Sequence, residues 1–186
     1  MLDKIEDIEV TWARRQESIR GILKHLRVMV ETAQLHSHLA ERHCGISATH
    51  LWALWELHRA PGLRAIDLAK AMAIQAPMAK TMLHDLQAQG LVHGISAVGG
   101  QNSVRMSLTE AGRQRIGLFP GAPQGVVAAA VENLDDDRLD HLRLALQTLL
   151  EAMPHADGKA AFAPLGDCIR DIGDARPTPA AARLGA

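Results

Sequence analysis

The sequence predicts a mostly helical α+β protein in which long helices flank a compact middle lobe. Apolar residues recur at steps of three and four through the first forty residues and again beyond residue 135, the signature of helices with one apolar face. Strict alternation of polar and apolar residues occurs over Ser103-Val104-Arg105-Met106-Ser107-Leu108, the signature of a half-buried strand. Between these lie short helical stretches separated by Gly and Pro. The 186 residues, 47% apolar and 22% charged, are enough to bury a core.

Each element follows from local chemistry. Ile19, Ile22, Leu26, Met29, Ala33, His36 and Ala40 form a seam by which one helix packs along another, with Arg14, Arg15, Arg20, Lys24 and Arg27 mostly off it. Gly45 ends this helix and Ser47 is placed to cap the next. That second helix, over 48–59, carries Leu51, Leu54, Trp55 and His58 along one face and stops at Pro61-Gly62. A short helix over 64–73 presents Ile66, Leu68, Ala69 and Met72. After a tight connection at Ile74-Gln75-Ala76, a third helix takes Pro77 in its first turn, buries Ala79, Met82, Leu83 and Leu86, and ends at Gly90.

Residues 91–98 read as the partner of the 103–108 strand, joined by the turn Gly99-Gly100-Gln101-Asn102. Thr109 caps a further helix, with Glu110 favoured by the helix dipole. Asp135-Asp136-Asp137 opens a last helix striped with Leu139, Leu142, Leu146, Leu149 and Leu150 and stopped by Pro154. The expected organisation is a dimerisation helix region over 1–46, a middle lobe over 47–112, C-terminal dimerisation helices over 113–153, and an Ala/Gly/Pro-rich extension over 154–186. Of that extension, 162–172 is suited to docking on the body and the last dozen residues read as a flexible tail.

Composition excludes several functions. With 20 Lys and Arg against 21 Asp and Glu, net −1, any nucleic-acid binding must come from a local basic surface. Aromatics at 3% and the absence of Tyr argue against a base-stacking platform. Cys44 and Cys168 are too few for a disulfide scaffold and lack metal-finger spacing. The charged start, Met1 to Asp7, does not read as a signal peptide, and no apolar run approaches the ~18 residues of a membrane helix. The expectation is a cytoplasmic protein with no membrane partner. A phosphate-binding Gly loop, a Gly-x-Ser-x-Gly elbow and paired carboxylates in apolar surroundings are all missing, so no enzyme and no cofactor is expected.

Two short helices and a hairpin between long seam-bearing helices make a winged helix-turn-helix with flanking dimerisation helices. One helix lies in the major groove, another braces it, and the hairpin tip reaches the adjacent backbone or minor groove. Several segments carry a resemblance. Gly45-Ile46-Ser47 leads into Leu51-Trp52-Ala53-Leu54; Asp67-Leu68-Ala69 is similar to an "xxLA" brace; Leu86-Gln87-Ala88-Gln89-Gly90-Leu91-Val92 is similar to "LExxGLV"; and Ser107-Leu108-Thr109-Glu110-Ala111-Gly112 matches "xLTxxG". Together, over roughly residues 15–152, they resemble the multiple-antibiotic-resistance regulator (MarR) family. The resemblance implies a homodimeric, ligand-responsive transcription factor, in the first instance a repressor, that reads a pseudo-palindromic operator in double-stranded DNA.

The chain departs from that family in its charges. Gly100 and Asn102 stand where the wing pattern "DxRxxxVxLT" has its acidic residue and Arg, and Lys80 is the only basic residue of the recognition helix, which also carries Asp85. From residue 60 to 115, Arg64, Lys70, Lys80, Arg105, Arg113 and Arg115 face Asp67, Asp85 and Glu110, a net of +3. That is a thin footprint for phosphate binding.

The expected DNA-contacting set is Gln75, Pro77, Met78, Lys80, Thr81 and His84 on the recognition helix, with Asn102 and Arg105 on the wing. Lys80 and His84 are suited to phosphate, Thr81 and Gln75 to base edges, and Arg105 to the backbone or minor groove. The bland alternative is a solvated polar face. His36, Ala40, Trp52 and Trp55 are expected near a small-molecule pocket between the dimer helices and the lobe, the alternative being core packing of both tryptophans. Cys44 beside His43 is a candidate redox switch, against which stands an inert buried thiol. His36, His43 and His50 are spaced by seven, with His38 and Cys44 nearby, but Gly45 interrupts the helix and no zinc-site spacing flanks them, so no metal is expected. The functional alternatives are therefore a winged-helix interaction protein with little or no DNA binding, and a metal or redox sensor.

Overall fold

A computed structural model describes residues 2–96, 104–154, 158 and 161, with the side chains of 2–10 and Ser96 left aside. Nine elements follow in chain order among these residues: α1 (Leu2–Cys44), α2 (Ala48–Arg59), α3 (Ala65–Ala71), α4 (Ala76–Ala88), β1 (Val92–Ser96), β2 (Val104–Leu108), α5 (Glu110–Gly117), α6 (Val126–Glu132) and α7 (Asp136–Glu151). The fold is mostly helical with one small antiparallel sheet, as the periodicities predict.

At 43 residues, α1 spans about 65 Å and is much longer than the lobe it joins. Among the described residues, the buried side chains of α1 all lie in its last three turns: Ala33, His36, Ser37, Ala40 and Cys44. Further back, Ile19, Ile22 and Met29 of the predicted seam are exposed, as are Trp12 and Leu23, so this part of the seam is left uncovered among the described residues. Gly45 ends the helix at φ +63°, a left-handed conformation that a side chain disfavours. The Ser47 hydroxyl then accepts from the His50 amide and caps α2.

Leu51, Leu54 and Leu57 of α2, Leu68 of α3, Leu86 of α4 and Leu91 are essentially solvent-free and make one core with Met72, Ala79, Leu83, Met106 and Leu108. Burying each Leu contributes about 1.5–3 kcal/mol. The predicted third helical segment is shorter than its sequence pattern. Arg64 is its N-cap rather than its first residue, and Met72 its C-cap. Ala73 lies beyond it in the left-handed region at φ 53°, a turn strained for an alanine that sets α3 against α4.

β1 and β2 pair antiparallel, with Val92 opposite Leu108 and Ser96 opposite Val104. Leu91 precedes β1 rather than opening it, and residues 97–103, with Asn102 and the rest of the expected turn, lie outside the described residues. Leu63 adds a bridge to Met106, so the loop after α2 fastens the base of the wing. Thr109 caps α5 through Gly112, and Asp135 caps α7 through Arg138. The sequence reading had no counterpart for α6. Cys168 and the 162–172 stretch fall outside the described residues.

Candidate nucleic-acid interface and ligand cavity

Helix α4 has two opposite faces. Ala79, Met82, Leu83 and Leu86 point into the core, and Gln75, Pro77, Met78, Lys80, Thr81 and His84 are all exposed. At 100° per residue, Pro77, Lys80, Thr81 and His84 fall on the side opposite the buried face, so a braced helix presents one polar strip outward. Thr81 returns its hydroxyl to the Pro77 carbonyl at 3.2 Å, and His84 lies 3.7 Å from the Asp85 carboxylate. Asp85 also faces His50 at 4.0 Å, which ties the outer face of α4 to the start of α2.

The cations near this strip are fewer than the composition suggests. Arg64 is held by Asp67 in a two-pronged contact at 2.7 and 2.9 Å, which holds the Asp67 carboxyl down to about 2, and the same carboxylate accepts from the Arg64 amide at 3.3 Å at the start of α3. Arg113 pairs with Glu110 at 3.0 Å, and Arg115 donates to the Cys44 carbonyl at 2.5 Å. Arg105 donates to the Gly62 carbonyl at 3.1 Å and keeps its other N–H groups for a further partner. Lys70 and Lys80 remain exposed without an ion pair among the described residues. The net of +3 therefore reduces to about three cations per chain that can meet phosphate: Lys70, Lys80 and, in part, Arg105.

A second site lies between the lobe and the long helix. A cavity of about 190 Å³ is walled by Ala33, His36 and Ser37 of α1, by Ala48, Thr49 and Trp52 of α2, and by the segment Gln124 to Val131. His36 and Trp52 both line it. Ala40 lies in the core and Trp55 stacks on His58 at 5.5 Å, so neither of these two lines the cavity. The α5–α6 loop is fastened to α1, because His36 Nε2 donates to the Ala122 carbonyl at 2.8 Å and its ring meets Phe119 edge-on at 4.9 Å.

Polar side chains absent from the sequence reading link two walls of this cavity. Trp52 Nε1 donates to Glu56 Oε1 at 2.9 Å, and Arg59 lies 3.8 Å from Glu56 and 3.7 Å from Glu132. Glu132 in turn accepts from Gln124 Nε2 at 3.1 Å. The chain Trp52–Glu56–Arg59–Glu132–Gln124 begins and ends in the cavity wall and ties α2 to α6. The i, i+4 spacing of Trp52 and Glu56 was a usable signal; the link to Glu132, 73 positions on from Arg59, had none.

Cys44 is buried, and burial pushes its thiol up against a smaller opposing pull from Arg115, the reverse of what a reactive thiolate needs. The seven-spaced histidines do not converge: His36 turns to Ala122, and His50 turns to Ser47 and Asp85. Among the described residues no three His, Cys, Asp or Glu side chains gather as a metal site, and no helix is long and apolar enough to cross a membrane.

Comparison with known proteins agrees with this architecture. Residues 46–93, from the entry to α2 through α4 to the start of the wing, match the MarR family. No curated protein matches the chain by sequence. Among solved structures, a MarR family transcription regulator superposes with a TM-score of 0.52 at 17% identity, over 75% of this chain and 92% of its own. A MepR-like protein complexed with pseudoligands gives 0.49 at 19% identity, over 72% and 92%. A mutant MarR from E. coli complexed with operator DNA gives 0.46 at 21% identity, over 69% and 93%. The sequence match thus places a MarR-family segment over residues 46–93, and the chain shares its winged-helix fold with a solved MarR family transcription regulator.

Proposed function

We propose that two copies of this chain form a transcription regulator that reads a pseudo-palindromic operator through α4 and responds to a small molecule in the cavity. The observation that carries this reading is the two-faced α4, whose inner face is locked in the core while a continuous polar strip faces outward. A helix braced in this way meets the steric demand of the major groove, and the wing beside it brings Arg105 toward the backbone.

Dimerisation is supported by what lies uncovered. No residue of α7 is buried, and Leu142, Leu144, Leu146, Leu149 and Leu150 are 37–55% exposed. Together with Ile19, Ile22 and Met29 of α1 they make apolar surface that a second copy would cover. A ligand between α1, α2 and α6 sits where the dimer helices meet the lobe. Binding one spacing of the lobes better than another, it shifts the population only by that difference in affinity. Occupying promoter DNA until the ligand arrives makes the expected sign repression.

A second reading has its own observation. Arg64, Arg113 and Arg115 are engaged inside the protein and Arg105 partly so, which suits a winged-helix dimer that binds another protein. Titration of purified protein with its own upstream DNA and with random duplex separates the two. Tight binding to one palindromic fragment, kept at salt that releases random duplex, is expected of the regulator. Binding that is absent or indifferent to sequence down to low salt favours the interaction protein.

A further inference from the structure

Resting on the reading of α4 as the helix that enters the major groove, we propose that the chain selects A·T pairs, chiefly by apolar contact of Met78 and Thr81 with the 5-methyl groups of thymine. What a helix can read is limited by the groups it offers. In the major groove Arg or Lys suits guanine, Asn or Gln suits adenine, a carboxylate suits the cytosine amine, and apolar atoms suit the thymine methyl.

The N-terminal residues of a recognition helix meet the bases. Here they are Gln75, Ala76, Pro77, Met78, Lys80 and Thr81, all exposed, with no Arg or Asn among them. Ala76, Pro77 and Met78 carry only apolar side chains, and Met78 stays 36% exposed on the shoulder of the outer strip. Thr81 spends its hydroxyl proton on the Pro77 carbonyl at 3.2 Å, so it cannot donate to a guanine or thymine oxygen, and its methyl is the group it adds to the strip. Asp85, the one carboxylate of α4, faces His50 at 4.0 Å and His84 at 3.7 Å. Gln75 caps α4 without a side-chain hydrogen bond, so both ends of its amide are available to adenine. Lys80 is the only remaining group suited to guanine, and as a point charge on a long stem it is equally suited to phosphate.

The apolar contact is large enough to measure. Covering one methyl-sized group is worth about fourfold in affinity, and the same contact in both copies of a dimer about fifteenfold.

A duplex selected from a random pool for binding to the natural chain supplies the probe. It is remade with uracil in place of thymine, which removes only the methyl, and separately with 7-deazaguanine, which removes the guanine N7 acceptor. Uracil is expected to weaken binding by about tenfold or more, and 7-deazaguanine by less than about threefold. Met78→Ala and Thr81→Ser, the latter keeping the hydroxyl, are each expected to weaken binding to thymine DNA. Most of that loss is expected to vanish on uracil DNA, where the methyl they touch is already gone. Should a variant fail to fold, the base substitutions on the natural chain decide alone. Equal binding of thymine and uracil DNA, a larger loss with 7-deazaguanine than with uracil, or the same mutational loss on both DNAs overturns the proposal. A preferred sequence indifferent to uracil removes the thymine proposal and leaves the regulator; a pool that yields no preferred sequence removes both.

Discussion

Replacing Gly112 with alanine is a sharp test of how the wing is joined to α5, because two effects predict opposite signs. Gly112 is the third residue of α5, where the intrinsic preference of a helix for Ala over Gly favours the variant by up to about 1 kcal/mol. A Cβ at this position, however, would meet the Leu91 carbonyl oxygen at 2.2 Å, more than 1 Å inside ordinary contact, and the Leu108 side chain at 3.3 Å. The obstacle is backbone and cannot rotate away. The same Leu91 carbonyl accepts from the Thr109 amide and from the Thr109 hydroxyl, each at 3.1 Å, so moving it strains the α5 cap and the start of β1 together. Overpacking of this kind costs about 1–3 kcal/mol or more. At about 2–4 °C per kcal/mol for a chain of this size, the melting temperature of Gly112→Ala is expected to fall by about 3–10 °C. Gly117 in the same helix has nothing within 4 Å of a built Cβ, and Gly117→Ala is the matched control, neutral to slightly stabilising. Thermal melts by circular dichroism read both. A Gly112→Ala variant as stable as the natural chain, or more so, refutes the close approach of α5 to the wing.

Other perturbations probe separate links. Asp67 is held at about 2, below its ordinary value, so its pairing with Arg64 stabilises the fold above about pH 4 and is lost as pH falls toward 2. The pair is solvent-exposed, so the stability gap between natural chain and Asp67→Asn is expected to be about 1 kcal/mol or less at pH 6 and to close below pH 4 in denaturant titrations. Leu142→Asp with Leu149→Asp puts charges on the exposed stripe of α7 and is expected to shift sedimentation from dimer to monomer while leaving helicity near unchanged. His36→Ala removes the 2.8 Å bond to Ala122 and the edge contact with Phe119, and is expected to cost about 1–3 kcal/mol in urea unfolding.

The middle lobe was legible because its punctuation is local. Ser47 and Pro61-Gly62 bound α2 where the sequence placed it, and the alternation around Met106 located β2. The helix α6 was not legible. Its seven residues are too few for a helical period to register, its valines favour strands, and Gly125 caps it without a side-chain bond. With α6 unseen, the Gln124 to Val131 wall of the cavity was invisible, although His36 and Trp52 stood out as polar or amphipathic groups on otherwise apolar faces. Charge counting also misled. The i, i+3 pairs Arg64–Asp67 and Glu110–Arg113 can be read from spacing, and allowing for them lowers the count of free cations. Arg115 finding the Cys44 carbonyl, 71 positions away, could not be read that way.

The central claim, that α4 of a dimer lies against DNA, is tested most directly by the salt dependence of binding with Lys80 in place and removed. With Lys70, Lys80 and Arg105 each meeting one phosphate in both copies, six contacts give a slope of log K against log salt of about −5. Lys80→Ala is expected to reduce its magnitude by about 2, one contact per copy, while sedimentation still shows a dimer. An unchanged slope with the dimer intact would contradict the account, because DNA would then be held by some surface other than the outer face of α4.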